Sequence, residues 1–225
     1  MTIATQTLRD SSAKLPVVIL ISGTGSNMLQ LVRGALNGAL NIDIKAVISD
    51  RADAKGLASA AEYDIATATL SPKQFSERSD YDAALTELVA GYQPRLVILA
   101  GFMRILSGVF IQRFQDRLLN IHPSLLPKYR GLHTHRRALE AGDVEHGASV
   151  HIVTEALDDG PIIIQAHVPV LPNDDETTLA ARVLTQEHQI YPHAVQLIAT
   201  GRLRCQDNRL WLDGQELTQP LRVSS

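Results

Sequence analysis

An asparagine and a histidine stand two positions apart inside an otherwise apolar run near the middle of the chain. Alternate side chains of an extended strand share a face, so Asn120 and His122 should point the same way. Leu119 and Ile121 should then point to the opposite face. Pro123 cannot continue a hydrogen-bond ladder, so we expect the strand to end at His122. Because open α/β sheets bind ligands at the carboxyl ends of their strands, the pattern predicts an active site here.

These two side chains suit a reaction in which negative charge develops on a carbonyl oxygen. The Asn120 carboxamide can donate an N–H to that oxygen, and a protonated His122 can donate a second hydrogen bond or transfer a proton. In the alternative interpretation, Asn120 ties down the following loop and His122 is a core histidine with satisfied ring nitrogens. The pair by itself leaves both interpretations open.

Short apolar runs separated by helical patterns predict the elements that position this pair. Strands that alternate with helices are typical of a mostly parallel sheet with right-handed crossovers, whose strand ends share one edge. We expect a single Rossmann-like α/β domain over residues 16–225, preceded by a flexible arm over residues 1–15. Predicted strands cover 16–22, 42–49, 65–70, 95–100, 118–122, 147–154 and 161–170; predicted helices cover 28–36, 53–63, 71–92, 133–142 and a long helix from 174, before a β-hairpin within 202–212.

Composition excludes several classes of protein. Of the 225 residues, 45% are hydrophobic and 20% charged, which is ordinary for a soluble globular domain. The net charge of -3 gives no broad attraction to nucleic acid, and no apolar run approaches the length of about 18 residues that indicates a membrane helix. The lone Cys205 cannot form an internal disulfide and indicates a reducing compartment. We therefore expect a cytoplasmic protein without nucleic-acid or membrane partners. The sequence does not give its oligomeric state, which we expect to be a monomer or a homodimer.

A glycine-rich turn, Gly-Thr-Gly-Ser-Asn, lies between the first predicted strand and helix. Such a turn leaves free backbone N–H groups at the positive end of the helix, where a phosphate can approach. Gly25, Ser26 and Asn27 are therefore candidate phosphate-binding residues. The pattern departs from the dinucleotide fingerprint because Met28 occupies the third glycine position, and it lacks the lysine of a Walker loop. A plain tight turn is the alternative.

The run Asn-Ile-His-Pro-Ser-Leu-Leu-Pro-Lys-Tyr-Arg-Gly, residues 120–131, resembles the signature of the folate-dependent formyltransferases. Other matching runs follow the order of that family and cover most of the chain, namely 21–27, 99–106, 131–135, 151–154, 157–161 and 185–188. The resemblance implies the formyltransferase fold and an enzyme of purine biosynthesis. Its reaction would transfer a formyl group from the cosubstrate 10-formyltetrahydrofolate to the amine of glycinamide ribonucleotide. No metal is implied.

The resemblance also implies roles for individual residues. Asn120 and His122 would stabilise the oxyanion, while Asp158 would keep His122 charged and accept the amine proton. The phosphate would bind at the glycine-rich turn, and Glu187 would contact the amine or ribose of the ribonucleotide. The residues implied for folate are Arg78, Met103, Arg104, Ile105, Leu106, Thr154, Glu155, Ala156 and Leu157.

Two histidines, His133 and His135, raise the alternative of a zinc site, but the sequence marks out no third ligand. We interpret them as the start of a helix. His151 is most simply a strand histidine. The chain departs from the family pattern at Arg130, where proline is usual, and at Asp159, where glycine is common; the first departure removes a fixed φ and leaves the loop conformation open.

Other activities remain alternatives at this stage. Relatives that formylate initiator methionyl-tRNA share the Asn-x-His motif, but they carry an additional carboxyl-terminal domain for which this chain has no room. Hydrolases of formyl-tetrahydrofolate are similar too, usually with an additional amino-terminal domain. A catalytically silent ligand-binding module is the alternative from a different class.

Overall fold

A computed structural model describes residues 13–224, so most of the predicted amino-terminal arm lies outside the described residues. The predicted alternation of strands and helices is confirmed, although some bounds differ. The strands are β1 (Leu15–Ile21), β2 (Ile42–Ser49), β3 (Thr67–Thr69), β4 (Leu96–Leu99), β5 (Leu118–His122), β6 (Glu145–Ile152), β7 (Ile162–Pro169), β8 (Leu203–Gln206), β9 (Arg209–Leu212), β10 (Gln215–Glu216) and β11 (Leu221–Ser224). The helices are α1 (Ser26–Leu36), α2 (Lys55–Ala61), α3 (Arg78–Gly91), α4 (Gly108–Arg113), α5 (Thr134–Glu140) and α6 (Glu176–Ala199).

Within residues 13–224, eight strands form one sheet in the order β11-β7-β6-β5-β4-β1-β2-β3. Strands β1 to β5 pair in parallel, whereas β6 is antiparallel to both β5 and β7. The expected mostly parallel α/β sheet is therefore confirmed. Because β6 runs antiparallel to β5, Ile152 at its end pairs with Leu119 near the start of β5, and the loop after β6 must run back along β5 to bring Asp158 beside His122.

Strand β1 is covered on both faces, as its unbroken apolar sequence predicts. Its alternate side chains enter two separate cores. Val17 and Ile19 belong to the core that contains residues of α1 and α6, whereas Val18 and Leu20 belong to the core that contains residues of α3 and α4. Helices on both faces therefore hold the central strands and fix where their carboxyl ends lie. Among residues 13–224, no helix is long and apolar enough to cross a membrane.

The predicted helix over 71–92 is wrong in one respect, because it is interrupted. Ser71 caps a 3₁₀ turn over Pro72–Gln74, as the Ser-Pro pattern indicates, but Phe75 then adopts an extended conformation with φ -120° and ψ 140°. Phe75 packs edge-on against Tyr81, with ring centroids 5.8 Å apart. The Ser71 cap supports only the 3₁₀ turn, and Phe75 packs in an extended conformation. The α-helix α3 therefore begins only at Arg78.

The carboxyl-terminal hairpin of β8 and β9 is confirmed. Two further strands follow it that the sequence did not indicate. Strand β10 extends the hairpin to three strands, and β11 returns to the main sheet, where it pairs in parallel with β7. Strand β11 forms by pairing with β7, which is distant in the sequence. The local sequence therefore gives little indication of a strand there.

Candidate active site

The carboxyl ends of β1, β4 and β5 meet at one edge of the sheet, as the strand order requires. The backbone N–H of Ser22 donates to the Gly101 carbonyl at 3.0 Å, and the Ser22 hydroxyl accepts from the N–H of Met103 at 2.9 Å. Strand β5 ends at His122, as predicted from Pro123. The contacts of Ser22 hold the segment after β4 beside the end of β1.

A cavity of about 490 Å³ opens at this edge. Asn120, His122 and Asp158 all line it, although Asp158 lies 36 positions or more along the chain from the other two. The structure therefore brings the three predicted catalytic residues together. Eight of the nine predicted folate residues also line the cavity, namely Met103, Arg104, Ile105, Leu106, Thr154, Glu155, Ala156 and Leu157.

Asn120 is oriented by a histidine on the neighbouring strand. The two residues are directly paired across β5 and β6, and the Asn120 amide donates to Nε2 of His151 at 3.0 Å. Nδ1 of His151 lies 3.0 Å from the carbonyl of Ile152, so Nδ1 carries the proton and Nε2 accepts. Burial lowers the pKa of His151 and favours this neutral form. The second amide N–H of Asn120 has no protein partner among the described residues.

His122 has a protein partner near each ring nitrogen. Its Nε2 lies 2.9 Å from the carbonyl of Tyr129 and must donate to it. Its Nδ1 lies 3.6 Å from a carboxylate oxygen of Asp158, and the same oxygen accepts the backbone N–H of Gly131 at 2.9 Å. The other carboxylate oxygen is 3.7 Å from Nε2 of His151. Asp158 therefore lies between the two histidines, close enough to interact attractively with an imidazolium.

Large apolar side chains surround the cavity opening. Met103, Ile105, Leu132 and Leu157 are each more than half exposed and all line the cavity. Clustered exposed apolar side chains are typical of a ligand site, because their contact with water is unfavourable until a ligand covers them. The arrangement can accept a flat apolar ring system beside the polar groups of Asn120 and His122.

The two predicted folate arginines behave differently. Arg104 lines the cavity, with its guanidinium 4.9 Å from the Tyr81 ring centroid and 3.9 Å from Asp50. Burial raises the pKa of Tyr81 to about 12, so its ring remains neutral. Arg78 does not line the cavity. Its side chain instead donates to the Ile105 carbonyl at 2.9 Å and supports the segment that does.

The predicted phosphate residues lie at the start of α1 and outside the cavity lining. Gly25 has φ 72°, a left-handed conformation that favours glycine, and α1 begins immediately after it at Ser26. The Asn27 amide donates to Glu187 of α6 at 2.7 Å. Both side chains are buried, and burial raises the pKa of Glu187. Asn27 and Glu187 thus form a buried pair beside the free N–H groups of the helix.

The two histidines considered as zinc ligands, His133 and His135, lie at the start of α5. His133 precedes α5 with φ 59°, and Nδ1 of His135 lies 3.2 Å from Nε2 of the buried His146. Burial lowers the pKa of both rings, that of His146 to about 4. Over residues 13–224, no three His, Cys, Asp or Glu side chains form a group that could hold a metal ion.

Two groups of this site escape sequence reasoning. His151 is a strand histidine of β6, as predicted, but the sequence gives no indication that it also orients the Asn120 amide. The Tyr129 carbonyl that meets His122 belongs to the backbone and has no signature at all. The only signal for His151 would have been the antiparallel register of β5 and β6, which pairs it with Asn120.

The fold and site together define a formyltransferase. The profile of the family described as formyl transferase matches residues 15–195, and the chain belongs to this family. The resemblance read from the sequence is thereby confirmed.

Individual relatives narrow the comparison. The chain is 52% identical over 201 residues to phosphoribosylglycinamide formyltransferase of Escherichia coli (strain K12), covering 89% of this chain and 95% of that protein. The solved phosphoribosylglycinamide formyltransferase of Coxiella burnetii, in complex with CHES, superposes with a TM-score of 0.87 at 47% identity, covering 92% of this chain and 99% of the other. A formyltetrahydrofolate deformylase of Pseudomonas syringae superposes with a TM-score of 0.82 at 29% identity, covering 90% and 67%.

Proposed function

We propose that the protein transfers a formyl group from 10-formyltetrahydrofolate to the amine of glycinamide ribonucleotide, a step of purine biosynthesis. The products are formylglycinamide ribonucleotide and tetrahydrofolate. The observation that carries the proposal is the convergence of Asn120, His122 and Asp158 in one cavity lined by the predicted folate segment. The high sequence identity of the chain to phosphoribosylglycinamide formyltransferases supports the same reaction.

The chemistry begins when the ribonucleotide amine attacks the formyl carbon. The new carbon–nitrogen bond makes the formyl carbon tetrahedral and places a negative charge on the formyl oxygen. One N–H of Asn120 has no partner among residues 13–224, and it donates to this oxygen, while His151 holds the other N–H. Collapse of the intermediate breaks the bond to the folate nitrogen, which takes up a proton as the formylated amine loses one.

His122 and Asp158 stabilise charge and transfer protons during these steps. With a proton on both nitrogens, His122 donates towards Tyr129 and attracts the Asp158 carboxylate. A substrate oxygen reaches Nε2 only by replacing the Tyr129 carbonyl, so the direct donor to the oxyanion is Asn120 unless the loop moves. Asp158 accepts the amine proton, directly or through water.

The ribonucleotide phosphate binds at the amino terminus of α1, where Ser26 and Asn27 offer backbone N–H groups. Glu187 lies 2.7 Å from the Asn27 amide and contacts the amine or ribose once that pair opens. The pterin ring packs among the apolar residues at the cavity opening, against the backbone of residues 103–106. Arg78 acts there indirectly, through the Ile105 carbonyl.

The expected partners are these two small molecules. Every residue in the proposal belongs to one chain, so it holds for a monomer and for a homodimer. The cytoplasmic location and the absence of nucleic-acid and membrane partners stay predictions from composition.

Hydrolysis of formyl-tetrahydrofolate is a second candidate, favoured by the structural likeness to the Pseudomonas syringae deformylase. Water would then replace the amine, and formate would leave. The purified protein should be incubated with formyl-tetrahydrofolate, with and without glycinamide ribonucleotide, while tetrahydrofolate is followed by absorbance and the formylated product by mass spectrometry. We expect release of tetrahydrofolate that depends on the ribonucleotide. Release at the same rate without it, accompanied by formate, would contradict the transferase and support the hydrolase.

A further inference from the structure

Two loops meet across the candidate active site. The histidine loop, residues 123–133, follows His122, and the aspartate loop, residues 153–161, contains Asp158. The guanidinium of Arg130 forms an ion pair and hydrogen bond with the Asp159 carboxylate. At the next position of the histidine loop, the N–H of Gly131 donates to Asp158 at 2.9 Å. The loops are thus joined at two consecutive positions on each side.

The histidine loop is well anchored to the rest of the protein. Arg137 of α5 donates to the carbonyls of Arg130 at 2.7 Å and Leu132 at 3.3 Å. Tyr129 donates its hydroxyl to Asp143 at 2.8 Å, and Lys128 pairs with the same carboxylate at 2.9 Å. Arg130 therefore projects from a backbone that is held in place.

The aspartate loop depends on this contact much more strongly. In the described residues 155–159, the only hydrogen bonds and ion pairs to elements outside the loop reach Arg130, Gly131, His122 and His151. Asp158 also has φ 48°, a conformation that is costly for a residue other than glycine and needs support from its surroundings. A second tie at the adjacent residue supplies such support.

We propose that Arg130 and Asp159 form a positioning pair that holds the Asp158 carboxylate between Gly131 and His122. The inference rests on the proposed function, because the effect is expected in formyl transfer. Neither residue touches the reacting atoms. The pair acts through the backbone of Asp159, which continues directly from Asp158, and so fixes the 3.6 Å separation between Asp158 and Nδ1 of His122.

The expected effect is modest, because both side chains of the pair are more than two-fifths exposed. Ion pairs of that exposure are weak, so we expect Arg130→Gln or Asp159→Asn to lower kcat about 3- to 5-fold. The KM for the ribonucleotide should not change, because its phosphate site at α1 lies elsewhere. Arg130→Lys should retain most of kcat, since it keeps the charge.

The test compares these variants with the double variant Arg130→Gln/Asp159→Asn, which leaves the net charge unchanged. A matched control is Arg202→Gln, which breaks the Arg202–Asp213 ion pair of similar exposure in the carboxyl-terminal hairpin. We expect the double variant to be no slower than either single variant, and the control to keep full activity. Unchanged kcat in the two single variants, or losses that multiply in the double variant, would overturn the positioning pair.

A second readout separates this inference from the proposed function. In NMR spectra, the imidazole signals of His122 should move in the double variant and stay in place in Arg202→Gln, whether or not formyl transfer is observed. Unmoved His122 signals would overturn the positioning pair. Absence of turnover in the unmodified protein, together with moved signals, would overturn only the proposed function.

Discussion

The cavity beside β5 and the turn before α1 serve the same proposed reaction but are built in opposite ways. Around the cavity, Asn120 has one amide N–H without a partner in the described part of the chain, and apolar side chains are exposed at the opening. At the turn, the side chains of Asn27 and Glu187 are bound to each other and buried, beside the backbone N–H groups at the start of α1. The cavity is open before a ligand arrives, whereas Asn27 and Glu187 can contact a ligand only after their pair separates.

We infer from this difference that the cavity carries out the reaction and the turn binds the phosphate. Groups that act on developing charge must be in place beforehand, because reorganisation during the reaction lowers the rate. A phosphate carries its charge throughout, so a helix terminus is sufficient to bind it. Changes around the cavity should therefore alter kcat, while changes at the turn should alter the KM of the ribonucleotide.

A large loss of kcat should come from Asn120→Ala. Removing an oxyanion donor typically costs about 10²–10³ in kcat, and the KM values should change little. Steady-state kinetics with both substrates would measure this, with Asn173→Ala on an exposed turn as the control. A variant with normal kcat and a raised KM would show that Asn120 only binds substrate and would remove the contrast between the two regions.

A smaller effect should follow Ser26→Glu at the first position of α1. The new carboxylate suits the positive end of the helix, so the fold should persist, but it repels a phosphate and should raise the ribonucleotide KM roughly tenfold or more. Ser26→Gln is the neutral control. Gly25→Val is a poorer probe, because φ is 72° and a Cβ would lie 2.9 Å from Met28. An equal rise in the folate KM would place the phosphate elsewhere.

The smallest effect concerns stability and pH at the buried pair. Because burial raises the pKa of Glu187 above its value in the unfolded chain, the folded protein loses stability as pH rises through that pKa. Glu187→Gln keeps an oxygen for Asn27 but removes the buried charge. At pH 7.5 it should raise the free energy of unfolding by about 0.5–2 kcal/mol.

Urea unfolding at pH 7.5 and pH 4 would test this, with exposed Glu62→Gln as the control. The gain should largely disappear at pH 4, below the ordinary pKa of a glutamate, because Glu187 is then mostly protonated in both states. The same substitution should raise the ribonucleotide KM, since the carboxylate is the proposed contact. An equal gain in the free energy of unfolding at both pH values would show that burial does not raise the pKa of Glu187.

Asn120 and His122 could be predicted from sequence because their signals are local, whereas Asp158 and the folate residues were implied only by the family resemblance. Pro123 ends β5, and the period of two in a strand places Asn120 and His122 on one face. Long-range pairings were not predictable in this way. His151 reaches Asn120 only through strand register, and the Asn27–Glu187 bond joins residues 160 positions apart. The ends of β3 and α3 also shifted, since packing and caps rather than periodicity set them.

The central claim is that His122 and Asp158 act as one unit on the same transition state. The most direct measurement is a double-mutant cycle in kcat for formyl transfer with His122→Asn and Asp158→Asn. Each single change should cost about 10²–10⁴, as loss of proton-transfer assistance does. Groups that act together are strongly non-additive, so the double variant should be only slightly slower than the slower single variant. Fully multiplied losses would contradict the claim and leave Asp158 as a residue that only shapes its loop.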